Sequence, residues 1–277
     1  MELYLDTAYK INKIITKQYS TSFSLGIMAF ARKYRDAIYS IYGYVRLADE
    51  IVDTFHGYDK AALLSELRME THLALSRGIS VNPVVHAFQQ TVKKYNISYN
   101  YIEAFLDSME MDLDKSSYDR NIYDKYVYGS AESVGLMCLH VFCEGDSEKF
   151  ERLKEPARML GSAFQKVNFL RDIKSDIEER GRIYLPGIHS LEVASNESKN
   201  YLEEEAEKEF NNALQGIKKL PNGVKLGVYS AYLYYYVLFR KIKGLDLTAL
   251  LNQRVRVPNI IKFALFLKAI VLVRLLK

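Results

Sequence analysis

The chain has 277 residues, nearly half of them apolar, and its 38 basic against 34 acidic residues leave a net charge of only +4. A large core is therefore affordable, while the charge balance excludes the broad basic surface of a nucleic-acid-binding protein. Five prolines and 14 glycines, spread without a Pro/Gly/Ser-rich stretch, give no linker, so the sequence predicts one continuously structured domain over 1–277.

At the N-terminus, Met1–Lys10 carries Glu2, Asp6 and Lys10 within its first turns and lacks the basic head and apolar run of a signal peptide. Beyond it, apolar residues recur at helical spacing, as in Ile38, Ile41, Tyr42, Val45, Ala48, Ile51 and Val52, with no sustained strand-type alternation. Breaks are expected at 30–34, 56–59, around Pro83, at 96–99, 116–121, 145–146, 181–198, 221–223 and at Pro258, leaving roughly eight to ten helices. The fold class is all-α, a single large helical bundle.

The first acidic constellation lies in the segment Tyr42–Asp53. Asp49 and Asp53 stand four residues apart on one helical face, which Arg46 joins three residues before Asp49. The neighbouring positions Tyr42 and Val45 are apolar and point inward, so two carboxylates are aimed near the core.

Mid-chain, Cys138 and Cys143 are the only cysteines and have no metal-ligand partners, which points to a reducing, cytoplasmic setting. Small residues cluster at Gly129, Ser130, Ala131 and Gly135 and again at Gly161, Ser162 and Ala163. Both close helix packing and space for a long ligand account for them.

The second constellation runs from Gln165 to Asp176, placing Asn168, Asp172 and Asp176 at successive four-residue steps with Gln165 extending the stripe. Leu160, Phe164, Val167, Phe169 and Leu170 flank it, so the helix is largely buried. Carboxylates at this spacing repel one another, and burial raises the cost of each uncompensated charge. Four acids and an amide, without a His or Cys cluster, make a hard oxygen site suited to Mg²⁺ and, through it, to a diphosphate.

The C-terminal stretch Phe263–Leu276 is strongly apolar but too short to span a bilayer. Lys262, Lys268 and Arg274 fall about 120° apart around it, so no single charged face forms. A buried terminal helix with its cations reaching outward is expected.

These residues resemble a known family. Asp49-Glu-Ile-Val-Asp53 resembles the first aspartate-rich motif of squalene and phytoene synthases, and Asn168-Phe-Leu-Arg-Asp-Ile-Lys-Ser-Asp176, continuing through Arg180-Gly-Arg-Ile-Tyr-Leu-Pro186, resembles the second. Tyr19-Ser-Thr-Ser-Phe23, Tyr128-Gly-Ser-Ala-Glu-Ser-Val-Gly135 and Arg254-Val-Arg-Val-Pro258 agree in order, with a closer likeness to bacterial phytoene synthases than to the longer squalene synthases. Glu132 departs from the family pattern, where a small residue is common.

The resemblance implies an isoprenoid (class I terpene) synthase bundle with a central apolar cavity. It also implies a Mg²⁺-dependent prenyl transferase joining two geranylgeranyl diphosphates head to head to give phytoene, for carotenoid biosynthesis. Mg²⁺, or Mn²⁺ in its place, would be held by Asp49, Asp53, Asn168, Asp172 and Asp176. Tyr42 and Tyr128 would stand near the reacting carbons, and Ser20, Phe23, Arg46, Gln165, Arg171, Tyr236, Arg254 and Lys262 would contact substrate.

No NADPH is required for phytoene, whereas squalene formation from farnesyl diphosphate needs it; squalene and dehydrosqualene remain alternatives. A non-catalytic isoprenoid-binding subunit and a terpene cyclase are the rival classes. Lipid substrates imply loose association with the inner face of a membrane, and oligomeric state is left open.

Overall fold

The protein is represented by a computed structural model in which residues 1–114, 117–186, 188 and 195–275 are described. Among these, the one non-helical pairing is an isolated parallel bridge between Ser117 and Ile183. The helices are α1 (Glu2–Tyr19), α2 (Thr21–Met28), α3 (Arg32–Asp53), α4 (Lys60–Arg77), α5 (Pro83–Tyr95), α6 (Tyr99–Asp114) and α7 (Arg120–Val127). A π turn (Tyr128–Glu132) leads without interruption into α8 (Ser133–Cys143). Then follow α9 (Ser147–Glu178), α10 (Asn196–Lys219), α11 (Asn222–Lys243), α12 (Leu247–Asn252) and α13 (Asn259–Leu275).

This is more pieces than the eight to ten expected, and side-chain caps account for two of the extra breaks. Ser20 Oγ accepts from the Phe23 amide at 3.1 Å and starts α2 directly after α1. Asp246 Oδ1 accepts from the Ala249 amide at 2.7 Å and starts α12. Neither cap interrupts the apolar pattern, so periodicity alone runs through both.

The two acid-bearing helices occupy the interior. α3 is packed by α1, α4, α5, α6 and α8, while α9 is packed by α8, α10, α11 and α12. Pro156 sits inside α9, where it lacks the amide that would bond one turn back. α10 closes on this point through Gly216, at which a Cβ would come within 2.3 Å of the Pro156 ring. The result is a tight α9–α10 seam behind the cavity wall.

The C-terminal expectation is overturned. α13 packs on α11 through one face only, and its outward positions Ile260, Phe263, Leu267 and Val271 are 79%, 63%, 48% and 58% exposed. The sequence is apolar on every side of this helix, so the face without a partner stays apolar in solvent.

Candidate active site

Between α3 and α9 lies a cavity of about 700 Å³. Its far end is apolar. α8 and α9 run antiparallel there, so Leu139, Phe142 and Leu153 lie remote from the acids of α9, and Phe30 meets Phe142 edge-on at 5.2 Å. At the near end stand Asp49 and Asp53 from α3 and Asp172 and Asp176 from α9, all facing the same space.

The acids are paired with the chain's own arginines. Arg180 Nη1 donates to Asp176 Oδ1 at 2.7 Å while its Nε lies 3.5 Å from Asp53 Oδ2, so one guanidinium bridges the two acidic helices. Arg182 Nη1 donates to Asp53 Oδ1 at 2.8 Å. Asp172 receives Arg171 on both oxygens and Arg254 Nε at 2.8 Å. Arg46 lies 4.0 Å from Asp49 and binds Glu50 closely.

The compensation is uneven. Burial pushes the Asp49 carboxyl up to about 7; Arg46 opposes the rise and Asp53 and Asp112 add to it. Burial likewise lifts Asp176 to about 7, against the pull of Arg180 and with the push of Asp172. At Asp172 burial also acts upward, but the hydrogen bond and charge of Arg171, with Arg254, outweigh it and hold the carboxyl below its ordinary value. Asp49 and Asp176 are therefore short of positive charge where they face the cavity.

Most of the residues singled out from sequence meet here. Ser20, Phe23, Tyr42, Arg46, Asp49, Asp53, Gln165, Asn168, Arg171, Asp172, Asp176, Arg254 and Lys262 all line the cavity. The amide stripe is ordered: Tyr235 donates to Asn168 Oδ1 at 3.3 Å, Asn168 Nδ2 donates to Gln165 Oε1 at 3.4 Å, and Gln165 Nε2 donates to Ser130 Oγ at 3.4 Å. Tyr42 stacks obliquely on Phe23 at 5.4 Å, and burial pushes its hydroxyl up to about 12 despite Arg46 and a hydrogen bond with Ser20. Burial, then the charge of Arg171, lowers the Lys262 ammonium.

Two tyrosines stand elsewhere. Tyr128 opens the π turn and lies under Arg158 in a separate surface pocket, and Tyr236 packs against Phe210, Tyr232 and Phe239. The cavity instead receives Tyr126, Tyr184, Tyr234 and Tyr235. The reason is helical phase: one residue turns a side chain by about 100°, and the π turn adds a further offset. Glu50 is also turned from the cavity, toward Arg46 and Thr54.

Among the described residues, no three carboxylate, imidazole or thiolate side chains converge closely enough to hold a metal on their own. The acids sit on two walls with Arg180 between them. The donor set is nonetheless all oxygen, and two of its members lack full compensation, so it fits a hard divalent cation that arrives with anionic oxygens of its own.

Residues 16–260 match the squalene/phytoene synthase family. The chain belongs to that family. Phytoene synthase of Arthrospira platensis is 28% identical over 279 residues, covering 91% of this chain and 89% of the relative. Phytoene synthase 1 of Arabidopsis thaliana, a chloroplastic protein, is 28% identical over 263 residues, covering 87% of this chain and 61% of the relative. The chain thus spans about six-tenths of the length of such plant relatives. Among solved structures, a dehydrosqualene synthase in complex with ligand superposes with a TM-score of 0.82 at 21% identity, over 98% of both chains. The squalene synthase HpnC of Alicyclobacillus acidocaldarius gives 0.76 at 22% identity, over 87% of this chain and 95% of that one. The all-α isoprenoid synthase bundle is therefore the observed fold, and the family is one of prenyltransferase-type enzymes.

The sequence did not single out Asp112, although two of its partners, Arg182 and Tyr184, lie in the second family motif. Asp112 on α6 accepts from Tyr118 at 2.8 Å, Tyr126 at 2.8 Å and Tyr184 at 2.7 Å, with Arg182 Nη1 at 3.7 Å. Burial raises its carboxyl in spite of Arg182 and the three hydroxyls. Asp112 in turn fixes the arginine that holds Asp53. Asp112 is one of five acids along α6, with Glu103, Asp107, Glu110 and Asp114, and no spacing rule picks it out from the others.

Glu132, the departure from the family pattern, is not among the residues that line the cavity. It lines the separate surface pocket and accepts from Arg158 Nε at 2.7 Å. The small residues divide by position. Ser130, Ala131, Gly135 and Gly161 line the cavity, whereas Gly129 is pressed against α6, where a Cβ would meet the Ala104 carbonyl oxygen at 2.2 Å.

Proposed function

We propose that the chain condenses two geranylgeranyl diphosphates head to head to phytoene, through a cyclopropylcarbinyl diphosphate, releasing two diphosphates. The observation that carries this reading is the meeting of four aspartates and a ring of arginines at one end of a cavity whose other end is apolar. A prenyl diphosphate has that same division between head and tail.

Asp49, Asp53, Asn168, Asp172 and Asp176 are the residues that would hold Mg²⁺, or Mn²⁺. When bound, the ion supplies positive charge that stabilises departing diphosphate. Arg171, Arg254, Arg180 and Arg46 would supply donors to the same diphosphate in exchange for their carboxylate partners, and Lys262, whose ammonium lies over the Tyr234 ring, would add a further charge. In the first half, the C1–O bond of one substrate breaks and diphosphate leaves. The C2=C3 double bond of the other substrate attacks that C1, and loss of a proton closes the cyclopropane. In the second half, the remaining diphosphate leaves, the ring rearranges, and loss of a second proton forms the central double bond.

The apolar walls from Phe23 to Phe164 exclude water from these cations, and the faces of Tyr42, Phe164 and Tyr235 offer them π density. Phe164 stacks on Tyr235 at 3.9 Å, which holds the two rings in place against each other. The Asn168–Gln165–Ser130 chain fixes the amide oxygens beside the acids.

The coverage of the Arthrospira relative favours phytoene, while the two solved structures keep farnesyl diphosphate, with squalene or dehydrosqualene as product, as the second reading. Incubation with each prenyl diphosphate, with Mg²⁺ or EDTA and with or without NADPH, followed by identification of the hydrocarbon, tests both. Phytoene formed without NADPH is the expected result; hydrocarbon from farnesyl diphosphate alone would establish the second reading, and none from any substrate would leave a non-catalytic isoprenoid-binding protein.

A further inference from the structure

The outward residues of α13 fall at Ile260, Phe263, Ala264, Leu267, Lys268, Val271 and Arg274, a stripe at three- and four-residue steps along one side of the helix. Its inward residues Lys262 and Phe266 line the cavity. The stripe is thus the back of a cavity wall. α2 lies against the same helix, α11, and its Phe23 and Leu25 both line the cavity and reach solvent, with Met28 beside them 46% exposed. Two helices that frame the cavity therefore show apolar side chains to the outside.

Charge indicates what covers them. From Leu247 to Lys277 the sequence holds six basic residues and no Asp or Glu, so this stretch carries +6 while the rest of the chain is slightly acidic. Lys268 and Arg274 stand within the exposed stripe, and Arg256 is exposed just before α13. A second copy of the chain would bring the same cations face to face, which disfavours self-association. An interface that is anionic at its surface and apolar beneath satisfies both kinds of side chain. α13 is too short and too interrupted by charge to cross a membrane, since no helix among the described residues is long and apolar enough to do so.

We propose that the outer face of α13, together with the exposed end of α2, docks on an anionic lipid bilayer and sets the cavity against the lipid. The inference rests on surface composition and stands whichever prenyl diphosphate is the substrate.

Cosedimentation with vesicles of phosphatidylcholine alone, and of phosphatidylcholine with phosphatidylglycerol, tests it without any turnover measurement. Three proteins are compared: the native chain, Phe263→Gln with Leu267→Gln, and Lys268→Gln with Arg274→Gln. All four side chains face outward, so helical content by circular dichroism should be unchanged in both variants. The native chain should bind the phosphatidylglycerol vesicles, and each double variant should bind about tenfold more weakly or worse. Equal binding by all three proteins, or no binding by the native chain, would overturn the proposal. So would a concentration-dependent dimer in gel filtration that Phe263→Gln with Leu267→Gln abolishes, since the face would then join two copies.

Discussion

Arg182 donates to Asp53 across 2.8 Å, from the loop after α9 to the last turn of α3. The same guanidinium stands 3.7 Å from Asp112, beneath the three tyrosine hydroxyls. The acid that faces the cavity is therefore anchored from behind by a buried cation, which is itself held by a buried anion.

Replacing that cation should be costly. Arg182 is 7% exposed, and Arg182→Gln leaves Asp112 buried with hydroxyls as its only donors. A loss of about 3–5 kcal/mol is expected for breaking one side of such a pair, read as a lowered midpoint in urea unfolding. Arg182→Lys should recover only part of it, because one ammonium does not reproduce the planar fork. A midpoint unchanged in both variants would refute the anchoring role.

Asp53→Asn and Asp172→Asn should each reduce hydrocarbon formation by on the order of 10²-fold or more while helical content stays near native. Asp49→Asn belongs to the same group. Near-native turnover in any of the three would remove that residue from the proposed metal- and diphosphate-binding set.

The raised carboxyls make stability depend on pH in a definite direction. Asp49 and Asp176 titrate at about 7 in the folded chain against 3.8 when unperturbed. Between those values the folded chain holds protons that the unfolded chain has released, so stability falls as pH rises through the interval. The cost is fully present above about 7 and absent below 3.8. Melting of the substrate-free protein should accordingly occur at lower temperature at about pH 8 than at about pH 5, and Asp176→Asn should flatten the dependence. A melting temperature that rises over that range would contradict the assignment.

Much of this site was legible because it obeys helical arithmetic. Asp49 with Asp53, and Asn168 with Asp172 and Asp176, are spaced at one turn, and a four-residue step fixes a face whatever packs around it. Tyr128 and Tyr236 were named from the sequence but face elsewhere, because their faces depend on phase, which a single π turn or a one-residue choice along α11 changes. Asp112 escaped for another reason, and with it the role of Arg182, which the second motif contains: their partnership joins α6 to a loop after α9, and no local pattern announces a contact at that separation. α13 misled because an apolar sequence reports a preference for burial, not the presence of a partner to supply it.

Phe142→Ala should widen the apolar end, where Phe142 meets Phe30 and Tyr34. We expect a stability loss of about 3 kcal/mol or more and a shift in substrate preference toward longer prenyl chains. Competition between farnesyl and geranylgeranyl diphosphates, with product ratios before and after the change, checks it; an unaltered ratio would place the length limit elsewhere.

Mg²⁺ with inorganic diphosphate should raise the melting temperature together and far less when added singly, since the acids are already paired with the chain's own arginines. A saturated ligand pair at a hundredfold its dissociation constant contributes about 2.7 kcal/mol. Full stabilisation by Mg²⁺ alone would show that the aspartates form a ready metal site without diphosphate.

The π turn at Tyr128–Glu132, closed by the Ser133 amide on the Tyr128 carbonyl, makes Arg120–Cys143 two helices on one axis but out of step. Tyr126 before it, Ser130 within it and Gly135 after it all line the cavity, so the offset sets which face α8 turns to that space. Removing a single residue from the turn would rotate all of α8 by about 100° against α9. This stretch should therefore accept many point changes at its outer positions yet reject any change in length.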